Sequence, residues 1–252
     1  MNPVVVRNVK IGEGMPKICV PIVGKTEAEI LKEAAAIVRS AADLVEWRVD
    51  WFESIFDIEK VKLLLGELRK VLGDIPLLFT FRTKEEGGEQ ESAYQQYEKL
   101  LCQVADTKLV DMIDVEIYIN GEVRELVSEL QQKGVIVVGS NHDFEKTPSR
   151  EEIIRRLCHM QDIGADILKM AVMPQKQSDV ATLMDATKEM VSEYAQHPVV
   201  TMSMSEMGIV SRLEGQLFGS AVTFGALTKT SAPGQINVEK LKKGLEKVNN
   251  LV

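Results

Sequence analysis

The sequence predicts an α/β fold, a (β/α)8 TIM barrel with a short N-terminal β-hairpin closing its bottom. Three observations lead there. Short β-rich runs alternate with amphipathic helical stretches, eight such runs occur, and no Pro/Gly/Ser-rich linker interrupts them. The length of 252 residues matches the roughly 250 residues typical of such a barrel, so residues 1–252 are read as a single barrel domain.

Val4-Val5-Val6-Arg7-Asn8-Val9-Lys10 alternates as a strand does, and Gly12-Glu13-Gly14 offers a turn; together they predict the hairpin. Strand candidates follow at 17–23, 44–50, 76–82, 109–117, 135–142, 165–171, 198–205 and 221–227. Between them, 27–41, 59–72, 92–105, 123–133, 150–163 and 180–194 carry apolar residues three and four apart, and a last helix is expected at 238–248. No Gly-x-Gly-x-x-Gly follows the first strand, which argues against a dinucleotide-binding sheet and a nicotinamide enzyme.

Composition narrows the function classes. The chain is 45% hydrophobic and 27% charged, with a formal net charge of −8. It has no Lys/Arg run of the kind a nucleic-acid or anionic-membrane partner would need. No segment reaches the roughly 20 apolar residues of a membrane span, and the first ten residues lack the apolar core of a signal peptide. Cys19, Cys102 and Cys158 are unclustered and fit neither a disulfide framework nor a zinc site. Free thiols without a signal segment predict a cytoplasmic protein with no metal.

In a (β/α)8 barrel the chemistry lies at the C-terminal ends of the strands, on inward-pointing side chains that alternate with period two. Val45, Trp47 and Val49 share one face of the second strand and should meet the helices, which turns Glu46, Arg48 and Asp50 inward. The fourth strand repeats the pattern, with Ile113, Val115 and Ile117 outside and Asp114 and Glu116 inside; the third ends with Thr80 and Arg82 on one parity. Such charges are costly unless paired or used. They belong either to a solvated rim of structural ion pairs or to a polar mouth that holds a ligand, and their recurrence on several strands favours the mouth.

Lys169 lies late in the sixth strand, in Ala165-Asp166-Ile167-Leu168-Lys169-Met170-Ala171. Burial in such an apolar run, helped by nearby arginines, disfavours an ammonium and favours a neutral amine able to attack a carbonyl. The alternative is a lysine whose head reaches the rim. His142 closes the fifth strand, one βα unit earlier, where an imidazole can move protons or simply hold a loop. His159, on a helix beside Cys158, and His197, before Pro198, read as structural or solvated. Glu86 precedes Gly87-Gly88 directly after the third strand; on its own it reads as part of a charged surface loop.

Taken together, these segments resemble the type I 3-dehydroquinate dehydratases of the shikimate pathway. The resemblance rests on Gly12-Glu13-Gly14 with Pro16-Lys17, Glu46-Trp47-Arg48-Val49-Asp50, Phe79-Thr80-Phe81-Arg82 and Glu86-Gly87-Gly88. It continues with Ser140-Asn141-His142-Asp143-Phe144, Thr147-Pro148, Gly164-Ala165-Asp166-Ile167-Leu168-Lys169 and Thr201-Met202-Ser203-Met204. Gly208, Ser211-Arg212 and Ser231-Ala232-Pro233-Gly234-Gln235 complete the ordered set. It implies a barrel, generally a homodimer, with neither metal nor organic cofactor, acting on 3-dehydroquinate by syn elimination of water.

The resemblance further implies that Lys169 forms a Schiff base with the C3 ketone, that His142 moves the protons and that Glu86 orients His142. Arg212, Ser231 and Gln235 match residues gripping the substrate carboxylate; Glu46, Arg48 and Arg82 match those meeting ring hydroxyls, with Arg48 also tuning Lys169. Met202, Met204 and Phe224 match an apolar lining, and Gly225 with the 231–235 loop is a candidate lid. Two departures stand out: Pro21 where some members have serine, and Asn141 where tyrosine often precedes the histidine.

A class I aldolase would share the barrel lysine. It commonly takes phosphorylated substrates and would be expected to carry a glycine-rich phosphate cradle after the seventh and eighth strands, whereas Ser231 to Gln235 with Arg212 suits a carboxylate and hydroxyls better. A binding protein without catalysis would be expected to have lost part of the reactive set, and Lys169, His142 and Glu86 are all present.

Overall fold

The computed structural model describes residues 2–227 and 229–250. Eight parallel strands form the barrel wall: β3 (Lys17–Ile22), β4 (Leu44–Arg48), β5 (Leu77–Thr80), β6 (Met112–Glu116), β7 (Ile136–Asp143), β8 (Ile167–Val172), β9 (Val199–Ser203) and β10 (Val222–Ala226). The hairpin strands β1 (Val4–Val6) and β2 (Val9–Ile11) precede them, and the two-residue β11 (Ile236–Asn237) pairs alongside β10. Ladders run from β10 through β3 to β9. The ring is completed where the Ala221 N–H donates to the Val199 carbonyl at 2.8 Å.

One helix follows each barrel strand: α1 (Glu27–Ile37), α2 (Ile58–Leu72), α3 (Tyr94–Asp106), α4 (Val123–Gln132), α5 (Arg150–Ile163), α6 (Gln177–Glu189), α7 (Ile209–Glu214) and α8 (Val238–Asn249). Their starts are set by local chemistry. Thr26, Asp57, Ser149 and Asn237 each accept a hydrogen bond from a first-turn N–H, which satisfies a donor that the helix leaves open. None of the eight is long and apolar enough to cross a membrane.

The parity argument holds. Val45, Trp47 and Val49 are fully buried in the outer core between sheet and helices, where Trp47 packs edge-on against Phe79 at 5.6 Å. Burying each such side chain stabilises the fold by about 1.5–3 kcal/mol. A second, inner core fills the lower barrel with Cys19, Leu44, Leu78, Met112, Val138 and Ile167. Val6 and Ile11 of the hairpin pack against it, so the hairpin does close the bottom. The Arg7 guanidinium ties it down through Asp111 Oδ1 at 2.6 Å.

Several boundaries differ from expectation. The hairpin turns at Arg7-Asn8, with Arg7 at φ 53°, whereas Gly12-Glu13-Gly14 forms the link into β3. The strand expected from 109 begins at Met112, after Lys108 takes a positive φ of 58°. The helix expected to 41 ends at Ile37, where tighter turns take over. Gly225 lies inside β10, paired with Ile236, rather than in a lid. The sequence sets no bounds for the helix expected after the seventh strand, and it does not predict β11; six and two residues are too short to show a period.

Candidate active site

The upper barrel is polar because the inward parity of successive strands delivers charge there. Glu46, Arg48, Arg82, Asp114, Glu116 and Lys169 are all buried. Lys169 Nζ donates to Asp114 Oδ2 at 3.0 Å, lies 3.5 Å from Glu46 Oε1, and stands 4.8 Å from the centre of the Phe224 ring. The expectation from sequence surrounds this lysine with apolar groups and arginines. The structure instead gives it an ion pair, because Asp114 and Glu46 share its inward parity.

Arg82 organises the wall opposite. Its guanidinium donates to Asp114 Oδ1 at 2.8 Å, Glu116 Oε1 at 2.9 Å, Ser140 Oγ at 3.1 Å and Glu86 Oε2 at 3.3 Å. Burial alone would raise the Asp114 carboxyl, but Arg82, Lys169 and the Ser140 hydroxyl outweigh it and bring the group down to about 2. Arg48 forms a two-pronged pair with buried Asp50, Nε to Oδ1 and Nη2 to Oδ2, both at 2.8 Å.

His142 is the last residue but one of β7, next to β8, where Ser140 pairs with Lys169 and His142 with Ala171. Glu86 reaches it from the turn after β5. Glu86 Oε2 is 2.8 Å from His142 Nδ1 and accepts the His142 backbone N–H at 2.9 Å, while Oε1 accepts from Asn141 Nδ2 at 2.9 Å. Far from a solvated loop residue, Glu86 is buried. The glycines after it make this possible. Gly87 takes a left-handed φ of 83° against the Phe144 ring, and a Cβ on Gly88 would collide with the Arg82 carbonyl.

Burial and the nearby Glu116 raise the Glu86 carboxyl to about 8, against the lowering pull of Arg82 and Asn141. His142 moves the other way. Burial, then Arg82, Lys169 and Arg48, hold its imidazole well below 6.5 and so neutral at physiological pH.

Eleven of the twelve site residues expected from the sequence line one cavity: Lys169, His142, Glu86, Glu46, Arg48, Arg82, Met202, Met204, Phe224, Ser231 and Gln235. The free volume is only about 40 Å³, small against the roughly 300–1,000 Å³ of ligand pockets in general, because the 231–235 segment covers the mouth. Arg48 Nη1 donates to the Ser231 carbonyl at 3.3 Å, and Gln235 bonds back to Ser231 N and Oγ at 2.8 and 2.9 Å. A roomier groove of about 580 Å³ lies at Thr83, Ser92 and Gln96, but its ion pair, Lys84–Glu91, is exposed and no buried titratable group lines it.

The twelfth residue, Arg212, sits just behind this wall. It is 1% exposed. Its Nη2 donates to the Pro233 carbonyl at 3.1 Å and its Nη1 to the Phe224 carbonyl at 3.4 Å, while its Nε has no partner among the described residues. No described carboxylate offsets the charge, and burial brings the guanidinium down to about 10. A buried cation with neutral partners is suited to an incoming anion.

Phe144 and Ala171 also line the cavity, and nothing in the chain's local pattern marks either as a site residue. Asp114 and Glu116 were legible as inward charges, yet nothing in the sequence assigned them the pairing roles they hold here.

Comparison with known proteins points to one family. The family model for type I 3-dehydroquinase matches residues 18–251. The 3-dehydroquinate dehydratase of Clostridioides difficile is 52% identical over 95% of this chain and 94% of its own length, and that of Bacillus subtilis is 51% identical over 98% and 97%. A crystal structure of the type I enzyme from Clostridium difficile, with covalent modified comenic acid, superposes with a TM-score of 0.97 at 50% identity, covering 100% of this chain and 99% of that one. The Enterococcus faecalis 3-dehydroquinate dehydratase gives 0.91 at 46% identity, covering 97% and 99%. With a matching barrel, a buried lysine beside a carboxylate-backed histidine, and relatives of this identity over nearly its whole length, the chain belongs to the type I 3-dehydroquinase family.

Proposed function

We propose that this chain removes water from 3-dehydroquinate to give 3-dehydroshikimate in the shikimate pathway, by syn elimination through a Schiff base on Lys169. As a member of its family it is a hydro-lyase. The observation that carries the mechanism is a buried amine, Lys169, in the same mouth as a neutral imidazole backed by Glu86.

The Lys169 amine, once it has passed its extra proton to His142, attacks the C3 carbonyl carbon. A second amine proton moves to that oxygen and His142 delivers the one it holds, so the oxygen leaves as water, His142 is neutral again and an iminium remains. The iminium acidifies the C2 proton, because the electron pair left behind can delocalise onto nitrogen. His142 takes the C2 proton through Nε2 and returns it to the C1 hydroxyl, which departs as water. Hydrolysis of the imine restores the ketone and the amine. Glu86 holds Nδ1 and supports the imidazolium while it exists. Asp114 and Glu46 steady the positive charge on nitrogen before and after the attack.

Arg212, Ser231 and Gln235 are assigned to the carboxylate, and Glu46, Arg48 and Arg82 to the ring hydroxyls. The fork of Arg82 is already engaged by Asp114, Glu116 and Glu86, so its larger contribution is to shape the wall. Met202, Met204 and Phe224 exclude water as the 231–235 segment closes. The family resemblance also supports a homodimer, which light scattering reads directly.

Intact-protein mass spectrometry after incubation with 3-dehydroquinate and borohydride tests the mechanism. An adduct mapped to the Lys169 peptide and missing in Lys169→Ala is expected. Formation of 3-dehydroshikimate without an adduct would overturn the Schiff base, and absence of both would overturn the dehydratase reading.

A further inference from the structure

We propose that Asn141 and Arg156 form a positioning pair that fixes the Glu86 carboxylate and, through it, the tautomer and aim of His142. The inference rests on the roles given above to Glu86 and His142.

Asn141 has the strand parity opposite to Ser140 and His142, so its side chain leaves the barrel axis and meets α5. Its amide has two unlike neighbours. Nδ2 donates to Glu86 Oε1 at 2.9 Å, and Oδ1 accepts from Arg156 Nη1 at 3.0 Å. A carboxylate only accepts and a guanidinium only donates, so the amide has one workable orientation. Flipped, it would set oxygen against oxygen and nitrogen against nitrogen. Arg156 is itself held: its Nε donates to Glu152 Oε1 at 2.7 Å, its Nη1 also lies 3.5 Å from Asp143 Oδ2, and the Tyr118 ring stands 5.9 Å from the guanidinium carbon.

The bond at Oε1 sets the rotation of the Glu86 carboxyl and so points Oε2 at His142. Oε2 then receives the His142 backbone N–H and faces Nδ1. An ionised Glu86 accepts the proton of Nδ1 and leaves Nε2 with a free lone pair. A protonated Glu86 donates to Nδ1 instead, which places the ring proton on Nε2 and removes the base. The Asn141 donor favours the ionised, base-competent arrangement.

The other charges around this unit are Arg82 from the end of β5, Asp114 and Glu116 from β6, and Arg48 and Lys169 acting on His142. None of these charges is removed by Asn141→Leu, so a moved titration in that variant reports the lost donor, whereas Arg156→Met also removes a positive charge and Arg156→Lys keeps it.

The test compares the natural chain with Asn141→Leu, Arg156→Met and Arg156→Lys. Imidazole nitrogen NMR of the ligand-free proteins follows the His142 tautomer against pH, which is practical with three histidines, and kcat and KM are measured in parallel. Asn141→Leu should move the tautomer transition upward by about one pH unit and lower kcat about tenfold, the scale of one hydrogen bond to a charged group, with KM little changed. Arg156→Met should move it in the same direction by less, and Arg156→Lys should restore it. An unmoved transition in both Asn141→Leu and Arg156→Met overturns the pair, including where melting temperature alone falls. Because the NMR transition needs no substrate, it judges the pair even if 3-dehydroquinate is not turned over, an outcome that would count against the dehydratase reading alone.

Discussion

Lys169 and Arg82 share one carboxylate: Asp114 accepts from Lys169 Nζ through Oδ2 at 3.0 Å and from Arg82 Nη2 through Oδ1 at 2.8 Å. Asp114 is wholly buried and, among the described residues, is the one carboxylate that pairs with both cations, Glu46 adding to Lys169 and Glu116 and Glu86 to Arg82.

Asp114→Asn should therefore cost about 3–5 kcal/mol of stability, the range for breaking a buried ion pair by removing one partner. Asp74→Asn, at an exposed partner of Arg7, should leave the melting temperature unchanged. The Asp114 carboxyl lies at about 2 in the fold against an ordinary 3.8. A depressed carboxyl contributes stability that is complete above the ordinary value and lost as pH falls through the folded one. The gap between the natural chain and the variant should narrow as pH is lowered from 3.8 toward 2, read by denaturant melts. A pH-independent gap would mean that the substitution creates only a packing defect.

Glu86 titrates in the opposite sense. Its folded value of about 8 lies above the ordinary 4.5, so the stability it contributes is complete below 4.5 and is lost as pH rises through about 8. In the ligand-free enzyme, ionisation of Glu86 also switches His142 to its basic tautomer. We expect kcat/KM to climb with pH through about 8, and Glu86→Gln to lose that limb while becoming relatively more stable above it. Retention of the same limb in Glu86→Gln would assign it to another group.

The floor of the barrel should be separable from its chemistry. Ile11 is fully buried in the inner core with Cys19 and Leu44. Ile11→Ala should destabilise by about 2–5 kcal/mol, the usual range for such a truncation. The borohydride adduct on Lys169 should still form at temperatures where the variant stays folded. Loss of the adduct in folded protein would mean that the hairpin positions the lysine as well as closing the bottom.

Much of this was legible because strand parity is a strict code. The alternation in Leu44 to Arg48 and in Met112 to Glu116 assigned every inward charge correctly. Charge partners were less legible, because parity says which side chains point inward but not which of them meet. Lys169 looked apolar in its own strand, and its ion pair comes from Asp114, two strands away. Glu86 looked like a surface residue because its burial depends on the left-handed turn at Gly87 and on Asn141, which only the folded chain brings beside it. The 206–220 segment carries a six-residue helix between two 3₁₀ turns, too little regular chain to give a period.

Arg212 gives a prediction in which stability and binding separate. Its guanidinium is buried, bonded to backbone carbonyls at Phe224 and Pro233, and offset by no described carboxylate. An uncompensated buried cation strains the ligand-free fold, whereas an arriving carboxylate would relieve the strain with a charge-assisted pair. Arg212→Gln should therefore keep or raise the ligand-free melting temperature while KM for 3-dehydroquinate rises about 30-fold or more, the lower end for truncating one partner of a buried charged pair. The stabilisation conferred by a saturating cyclic hydroxy acid should vanish in parallel, since ligand-linked stability follows affinity. A variant that melts earlier yet binds as tightly as the natural chain would show that Arg212 braces the 231–235 segment and does not meet the substrate.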